Sequence, residues 1–286
     1  MAANMKEIKE RIDSVKNTSQ ITNAMNIVSS TKFKKFQELT LKSRSYSDTL
    51  DIAFDNLVAS LTGKKHVIFD GKQEVRKVGI VVMTSDRGLC GSFNSNMLRR
   101  MEEMIKDFRK EGKNISIITI GKKARDYCKN KDVSVDSEYI QLIPETMFEK
   151  AKKISEDVVE FYLNDFYDEV YLLYSKFVSA IEYNIQIEKI LPIEKKEGLP
   201  TKEYIFEPSE EQVLREFIPK VLNIKLYQAL LESSASEHSA RMSAMRQAND
   251  NADEMIKKLT VQYNRERQGQ ITQELSEIVG GSEALK

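Results

Sequence analysis

The sequence predicts an α/β protein with long helices: an antiparallel two-helix coiled coil formed by the N- and C-terminal helices, plus a central Rossmann-like α/β domain. Three observations point there. Residues 1–62 and 220–268 contain neither glycine nor proline, and both carry apolar residues three and four apart. Between them, short β-branched runs alternate with helical patterns, as in a mainly parallel sheet. A helix of the first length would span roughly 90 Å at about 1.5 Å per residue. Helices that long owe their stability to packing an apolar face. The two ends are therefore expected to pack on each other.

The first segment, 1–62, reads as one coiled-coil helix. Ile8, Ile12 and Val15 mark a stripe that Ile21, Met25 and Val28 continue after a small shift, and Leu50, Phe54, Leu57 and Leu61 extend it. The alternating threes and fours are coiled-coil spacing. Gly63 is the expected stop, followed by a polar linker to about Arg76.

The second segment, 77–195, is the α/β domain. Val78 to Thr84 is a short β-branched run, the mark of a strand buried on both faces. A loop, SDRGLCGSFN, covers 85–94. Helices are expected over 93–110, 122–131 and 147–163. Strands are expected over 115–120, 133–135, 170–176 and 181–190, the last two forming a hairpin.

Pro192, Gly198, Pro200 and Pro208 break the chain next, with one short edge strand, EYIF, expected at 203–206. The third segment, 209–286, is the C-terminal coiled-coil helix. Ser209 and Gln212 have capping-box spacing. Pro219 should kink the helix or lie near a start. Met242, Asn249, Ile256 and Tyr263 fall seven apart, with Met245, Ala252 and Leu259 completing the register. Beyond Tyr263 the register meets Glu266 and Gln270, and the apolar stripe shifts to Ile271, Leu275 and Ile278, a stutter. Gly280 and Gly281 should end the helix. The tip beyond residue 275 should project past the start of the other helix.

Composition excludes several functions. Lys plus Arg is 44 and Asp plus Glu is 44, so net charge argues for neither nucleic acid nor an anionic membrane. No apolar run has the length of a membrane span. MAANMKEIKERID lacks an apolar signal core, so the protein is expected to be made and kept in the cytosol. Cys90 and Cys128 form neither a CxxC pair nor a metal-ligand cluster and read as free buried thiols. His66 reads as solvated and His238 as an interface or surface residue.

The chemistry-like signals have plainer explanations. SDRGLCGSFN follows a strand and has two glycines, but matches neither GxxxxGK[ST] nor GxGxxG. A strand-to-helix turn is the better account, with Asp86 and Arg87 pairing or positioning the loop. Residues 6–44 hold nine Lys or Arg and four Asp or Glu, which reads as a solvated face or a contact for an acidic protein surface. The segment from Glu232 to Ala252 is rich in small residues, which permit close approach. Ser234 and His238 lie one turn apart without a strand-loop framework to place an acid, so no triad is expected. No catalytic, metal or cofactor-binding residue is expected.

Four segments carry a resemblance. SVKNTSQITNAMNIVSSTKF at 14–33, SDRGLCGSFN at 85–94, ASEHSARMSAMRQANDNA at 235–252 and YNRERQGQITQELSEIVGG at 263–281 look like the γ subunit of the rotary F-type ATP synthase, bacterial type. The family usually has lysine where Asn23 stands, and often alanine at Ser29, Ser30, Ser239 and Gly269. The resemblance implies that the coiled coil is a central shaft inside a ring of α and β subunits. The α/β domain is then the foot, sitting with the ε subunit on the membrane c-ring. Ion flow turns the ring and shaft, and the β subunits cycle; this subunit catalyses nothing and needs no cofactor. Membrane contact comes only through partners, at the cytoplasmic face of the cell membrane. The matching positions imply contacts to the α/β ring at Met25, Arg241, Arg267 and Gln268, and contacts to the c-ring and ε at Tyr204 and Glu207. Met25 is equally readable as an ordinary core methionine. An enzyme with a coiled-coil arm, and a structural adaptor with no rotary role, are the alternatives.

Overall fold

The computed structural model describes residues 2–60, 67–194, 207 and 209–284. The elements in order are α1 (Ala2–Ser60), α2 (Val67–Asp70), β1 (Lys77–Met83), α3 (Phe93–Lys110), β2 (Asn114–Ile120), α4 (Lys122–Asn130), β3 (Val135–Tyr139), α5 (Met147–Leu163), β4 (Glu169–Ser179), β5 (Glu182–Leu191) and α6 (Glu210–Ala284). Two compact units result: residues 1–29 with 241–286, and residues 30–240. The fold is the long-helix α/β class with an antiparallel helix pair. The expected helix stop at Gly63 and the strand at 203–206 lie outside the described residues.

The second unit contains one five-stranded sheet of order β3-β2-β1-β4-β5. The first four strands run parallel and β5 pairs antiparallel with β4. Alternation sends Ile80, Val82, Ile117 and Leu173 to the face covered by Met97, Met101 and Met104 of α3 and by Ala124 and Cys128 of α4. β1 is buried almost throughout, as its continuous apolar run requires. Helix α5 buries Met147, Ala151, Ile154, Val158 and Tyr162. Cys90 and Cys128 are both buried, and neither forms a disulfide. The third strand forms at 135–139 rather than 133–135, because Val133 closes the end of α4, its N–H donating to Cys128 O at 3.1 Å. The supposed linker before β1 contains α2, whose Ile68 and Phe69 are buried.

Within this unit α1 and α6 are antiparallel: Phe36 stacks on His238, Arg44 pairs with Glu232, and Phe54 stacks on Phe217. Numbers rise on one helix as they fall on the other. His238 is thus an interface residue. At the start of α6, Gln212 N–H donates to Ser209 Oγ at 3.3 Å, the capping bond its spacing predicts. Pro219 lies inside α6.

The phase of α1 differs from the apolar reading. Ile21 and Val28 are 61% and 56% exposed, so the stripe does not pass through them. Two sheltered rows instead run along it, 8, 15, 22, 29, 36, 43, 50 and 57 with 12, 19, 26, 33, 40, 47 and 54, and Met25 and Val58 are sheltered beside them. That is an unbroken heptad with no shift. Ser19, Thr22, Ser29, Thr40 and Ser47 hold seam positions that a search for apolar residues passes over. Helical phase, fixed by Ile8, Ile12, Phe33, Phe36 and Phe54, decides burial.

In the first unit α6 keeps one register. Met245 and Ala252 are buried; Met242, Asn249, Ile256, Leu259, Tyr263, Glu266 and Gln270 are half-buried. The stutter is therefore absent from the burial pattern. Ile271, Leu275 and Ile278 sit off the seam and are 49%, 57% and 68% exposed. Gly280 and Gly281 do not stop the helix, which runs to Ala284. A glycine costs a helix only about 1 kcal/mol relative to alanine and does not forbid it.

Candidate functional site

In open α/β sheets, ligands bind beyond the carboxyl ends of the strands where strand order reverses. Here that place lies between β1 and β4, and the chain fills it with itself. Ser233 of α6 accepts Ser175 N–H at 3.0 Å on β4, and its Oγ lies 3.8 Å from Met83 Sδ at the end of β1. Ala229, Leu230, Leu231 and Ala235 around it are buried. A helix occupies the crevice that a nucleotide would need.

The loop after β1 is bound internally. Ser85 N–H donates to Asn94 Oδ1 at 3.0 Å, and Ser85 Oγ donates to Arg87 O at 2.6 Å. Asp86 accepts Lys122 N–H at 3.0 Å and Gln141 N–H at 2.8 Å. It caps α4 and ties two loops together. Gly121 precedes α4 at φ +94°, and a Cβ there would lie 2.1 Å from Thr84 O. Only glycine allows that approach. The glycine-bearing loop is a structural turn.

At the other end of the sheet Asp168 joins three segments. It accepts Arg76 N–H at 2.8 Å, Lys77 N–H at 2.7 Å and Lys72 Nζ at 2.7 Å. Burial pushes its carboxyl up, but the Lys72 ammonium and the two backbone donors outweigh this and hold it below the ordinary 3.8.

Met25, Arg241, Arg267 and Gln268 belong to the unit of residues 1–29 with 241–286, and Glu207 to the other unit. Met25 is half-buried on α1, and its carbonyl accepts Ser29 Oγ at 2.7 Å. Arg241 is 6% exposed. Arg267 and Gln268 are exposed on α6, where Gln268 O accepts Thr272 Oγ1 at 2.9 Å. Arg241 and Arg267 are separated by roughly 39 Å of continuous helix at about 1.5 Å per residue. Glu207 is exposed at a bend, and Tyr204 lies outside the described residues. Sequence reasoning missed the polar contacts within the coil. Ser19 Oγ donates to Asn249 Oδ1 at 2.7 Å, and Arg44 pairs with Glu232 at 2.9 Å. The one available signal was a glutamate inside the small-residue segment of α6.

The sequence model of the ATP synthase family matches residues 4–285. The ATP synthase gamma chain of Fusobacterium nucleatum is 48% identical over 281 residues, covering 98% of this chain and 99% of that one. The chain belongs to the ATP synthase gamma chain family. The gamma chain of Pelotomaculum thermopropionicum is 43% identical, with 99% of each chain covered. Among solved structures, a chain of the central stalk and c-ring of the Tetrahymena thermophila mitochondrial ATP synthase is 26% identical with a TM-score of 0.61, covering 80% of this chain and 99% of that one. A chain of the Euglena gracilis mitochondrial ATP synthase has a TM-score of 0.70 at 21% identity, covering 100% of this chain and 95% of that one, which shows a shared fold. Membership of this family, matched end to end, sets aside the adaptor alternative. Among the described residues of this gamma chain family member no helix is long and apolar enough to cross a membrane.

Proposed function

We infer that this chain is the central rotor shaft of an F-type ATP synthase, coupling ion flow through a membrane c-ring to the cycling of catalytic β subunits. The observation that carries the reading is the full-length match to a gamma chain at 48% identity. The α/β domain is the foot, set with ε on the c-ring at the cytoplasmic face of the cell membrane. The helix pair enters the ring of α and β subunits. The chain catalyses nothing itself; its ligand crevice is filled by Ser233 and its neighbours.

The mechanism follows from asymmetry. A shaft without threefold symmetry presents a different surface to each β subunit. Each β is then biased toward a different state by the difference in contact energy. A tenfold bias requires only about 1.4 kcal/mol. Contacts must break at every step, so exposed polar groups suit the task better than a large apolar interface. Arg267 and Gln268 meet that requirement. Met25 and Arg241 are sheltered and act through the coil they pack in. Ile271, Leu275 and Ile278 leave an apolar strip on α6 that an apolar sleeve of the ring would cover. Glu207 and Tyr204 are assigned to the contacts with the c-ring and ε.

Reconstitution tests the reading. The chain is combined with α and β subunits of a bacterial relative, the ring is fixed to glass, and a bead is attached to the foot. ATP should drive stepwise rotation of the bead in one sense. A stable complex in which the bead never turns would overturn the assignment.

A further inference from the structure

Strand β4 outruns its neighbour β1. Their register ends with Val82 beside Leu173, whereas β4 continues to Ser179 with β5 still on its other side. The edge that β1 vacates would present bare backbone groups. Side chains take them up instead. Ser175 N–H donates to Ser233 Oγ at 3.0 Å, and Ser175 O accepts Ser236 Oγ at 3.4 Å. Phe177 N–H donates to Glu232 Oε2 at 3.3 Å, and Phe177 O accepts Arg44 Nη2 at 3.2 Å. The Ser239 hydroxyl donates to Ala180 O.

The centre of this ladder is a buried charge. Glu232 is 3% exposed, and its Oε1 holds Arg44 Nη2 at 2.9 Å and Gln228 Nε2 at 3.0 Å. Edge protection alone needs only a surface lysine or a proline. Burying the Glu232 carboxylate carries a desolvation cost that apolar packing would avoid, even with Arg44 reaching it from the half-exposed rim. What the pair adds is direction. Apolar contact is non-directional, so it resists separation better than sliding or twisting. Hydrogen bonds weaken steeply when misaligned. Here they tie β4 to both long helices at one level, Arg44 from α1 and Glu232, Ser233 and Ser236 from α6.

We propose that Arg44, Glu232, Ser233 and Ser236 form the torsional joint that makes the sheet and the helix pair turn as one piece. The proposal rests on the shaft reading above. Torque entering at the α/β domain passes into α1 and α6 through the vacated edge of β4.

The test uses the reconstituted complex with the ring fixed. A bead is attached through Lys153→Cys, on exposed helix surface, while Cys90 and Cys128 stay buried. Angular fluctuation of the paused bead measures torsional stiffness. Ser233→Ala/Ser236→Ala removes two edge bonds without stranding a charge, and Glu232→Gln removes the charge while keeping the shape. Both should raise the angular variance about twofold, since local stiffness follows the bonds that hold a region closed. Assembly and unloaded ATPase rate should be unchanged, and rotation should slow only under viscous load. Amide exchange at Ser175 and Phe177 in the full-length chain should rise in the same variants. Unchanged variance in a variant whose exchange has risen would overturn the joint. A wild-type bead that never rotates would instead overturn the shaft reading, and the joint with it. If Glu232→Gln fails to fold, the serine pair carries the test.

Discussion

Ser19 and Asn249 meet across the helix pair, the hydroxyl donating to the amide oxygen at 2.7 Å. Both occupy seam positions of their heptads, where a polar residue costs stability but defines register. Asn249→Ala should lower the melting free energy by about 1 kcal/mol, because it leaves Ser19 without its acceptor. Ser19→Ala with Asn249→Leu should be neutral or stabilising by a similar amount. Circular-dichroism melts of the full chain decide this. Additive losses in the double variant would show that the pair does not act as a unit.

Arg267 and Gln268 are exposed on α6, so changing them should not disturb folding. Replacing both with alanine should lower coupled ATP synthesis about tenfold if they supply about 1.4 kcal/mol of the bias between β states. Subunit stoichiometry after purification should match the wild type. Unchanged synthesis would remove both from the contact set.

Asp168 makes stability depend on pH. Its folded carboxyl is more acidic than the ordinary 3.8, so its contribution is present above that value and is lost as pH falls through the folded one. Asp168→Asn should cost about 2–3 kcal/mol at pH 7, where charged hydrogen bonds to Lys72, Arg76 and Lys77 are lost. The gap between variant and wild type should narrow as pH falls below 3.8 and close below the folded value. Urea unfolding at pH 7 and pH 3 measures it; an equal gap at both would show that the charge is irrelevant.

Two glycines should respond in opposite ways to alanine. At Gly121 the new Cβ would lie 2.1 Å from Thr84 O at φ +94°, so Gly121→Ala should cost several kcal/mol, about 3 or more, or prevent folding. At Gly280 a Cβ meets nothing within 4 Å and the backbone is helical. Gly280→Ala should favour the end of α6 by about 1 kcal/mol and raise helicity. Comparing yield and far-ultraviolet circular dichroism of the two variants checks both.

Much of the architecture was legible in the residues. Helices α3 and α5 begin and end where their apolar spacing places them, and β1 and β2 follow their β-branched runs within a residue. These elements pack a continuous apolar face, and a face of that kind leaves a period in the sequence. The coil was legible only in part. Ile21 and Val28 look like core and face outward, whereas Ser29 and Thr40 look like surface and are buried. Apolar content does not set helical phase when small polar residues share the seam. The Ser19–Asn249 contact joins positions 230 residues apart, and no local pattern records such a pairing.

The amino-acid order alone determined two long helices, an α/β domain between them, and the motifs by which the family is met. Local periodicity and backbone propensity suffice for that, because each acts over a few turns or one strand. Which face of α1 is inward, what fills the crevice beside β1, and how the bare edge of β4 is satisfied were decided only by tertiary structure. Those outcomes depend on which distant groups arrive at the same place, and buried backbone donors and acceptors must find partners there wherever in the chain those partners lie.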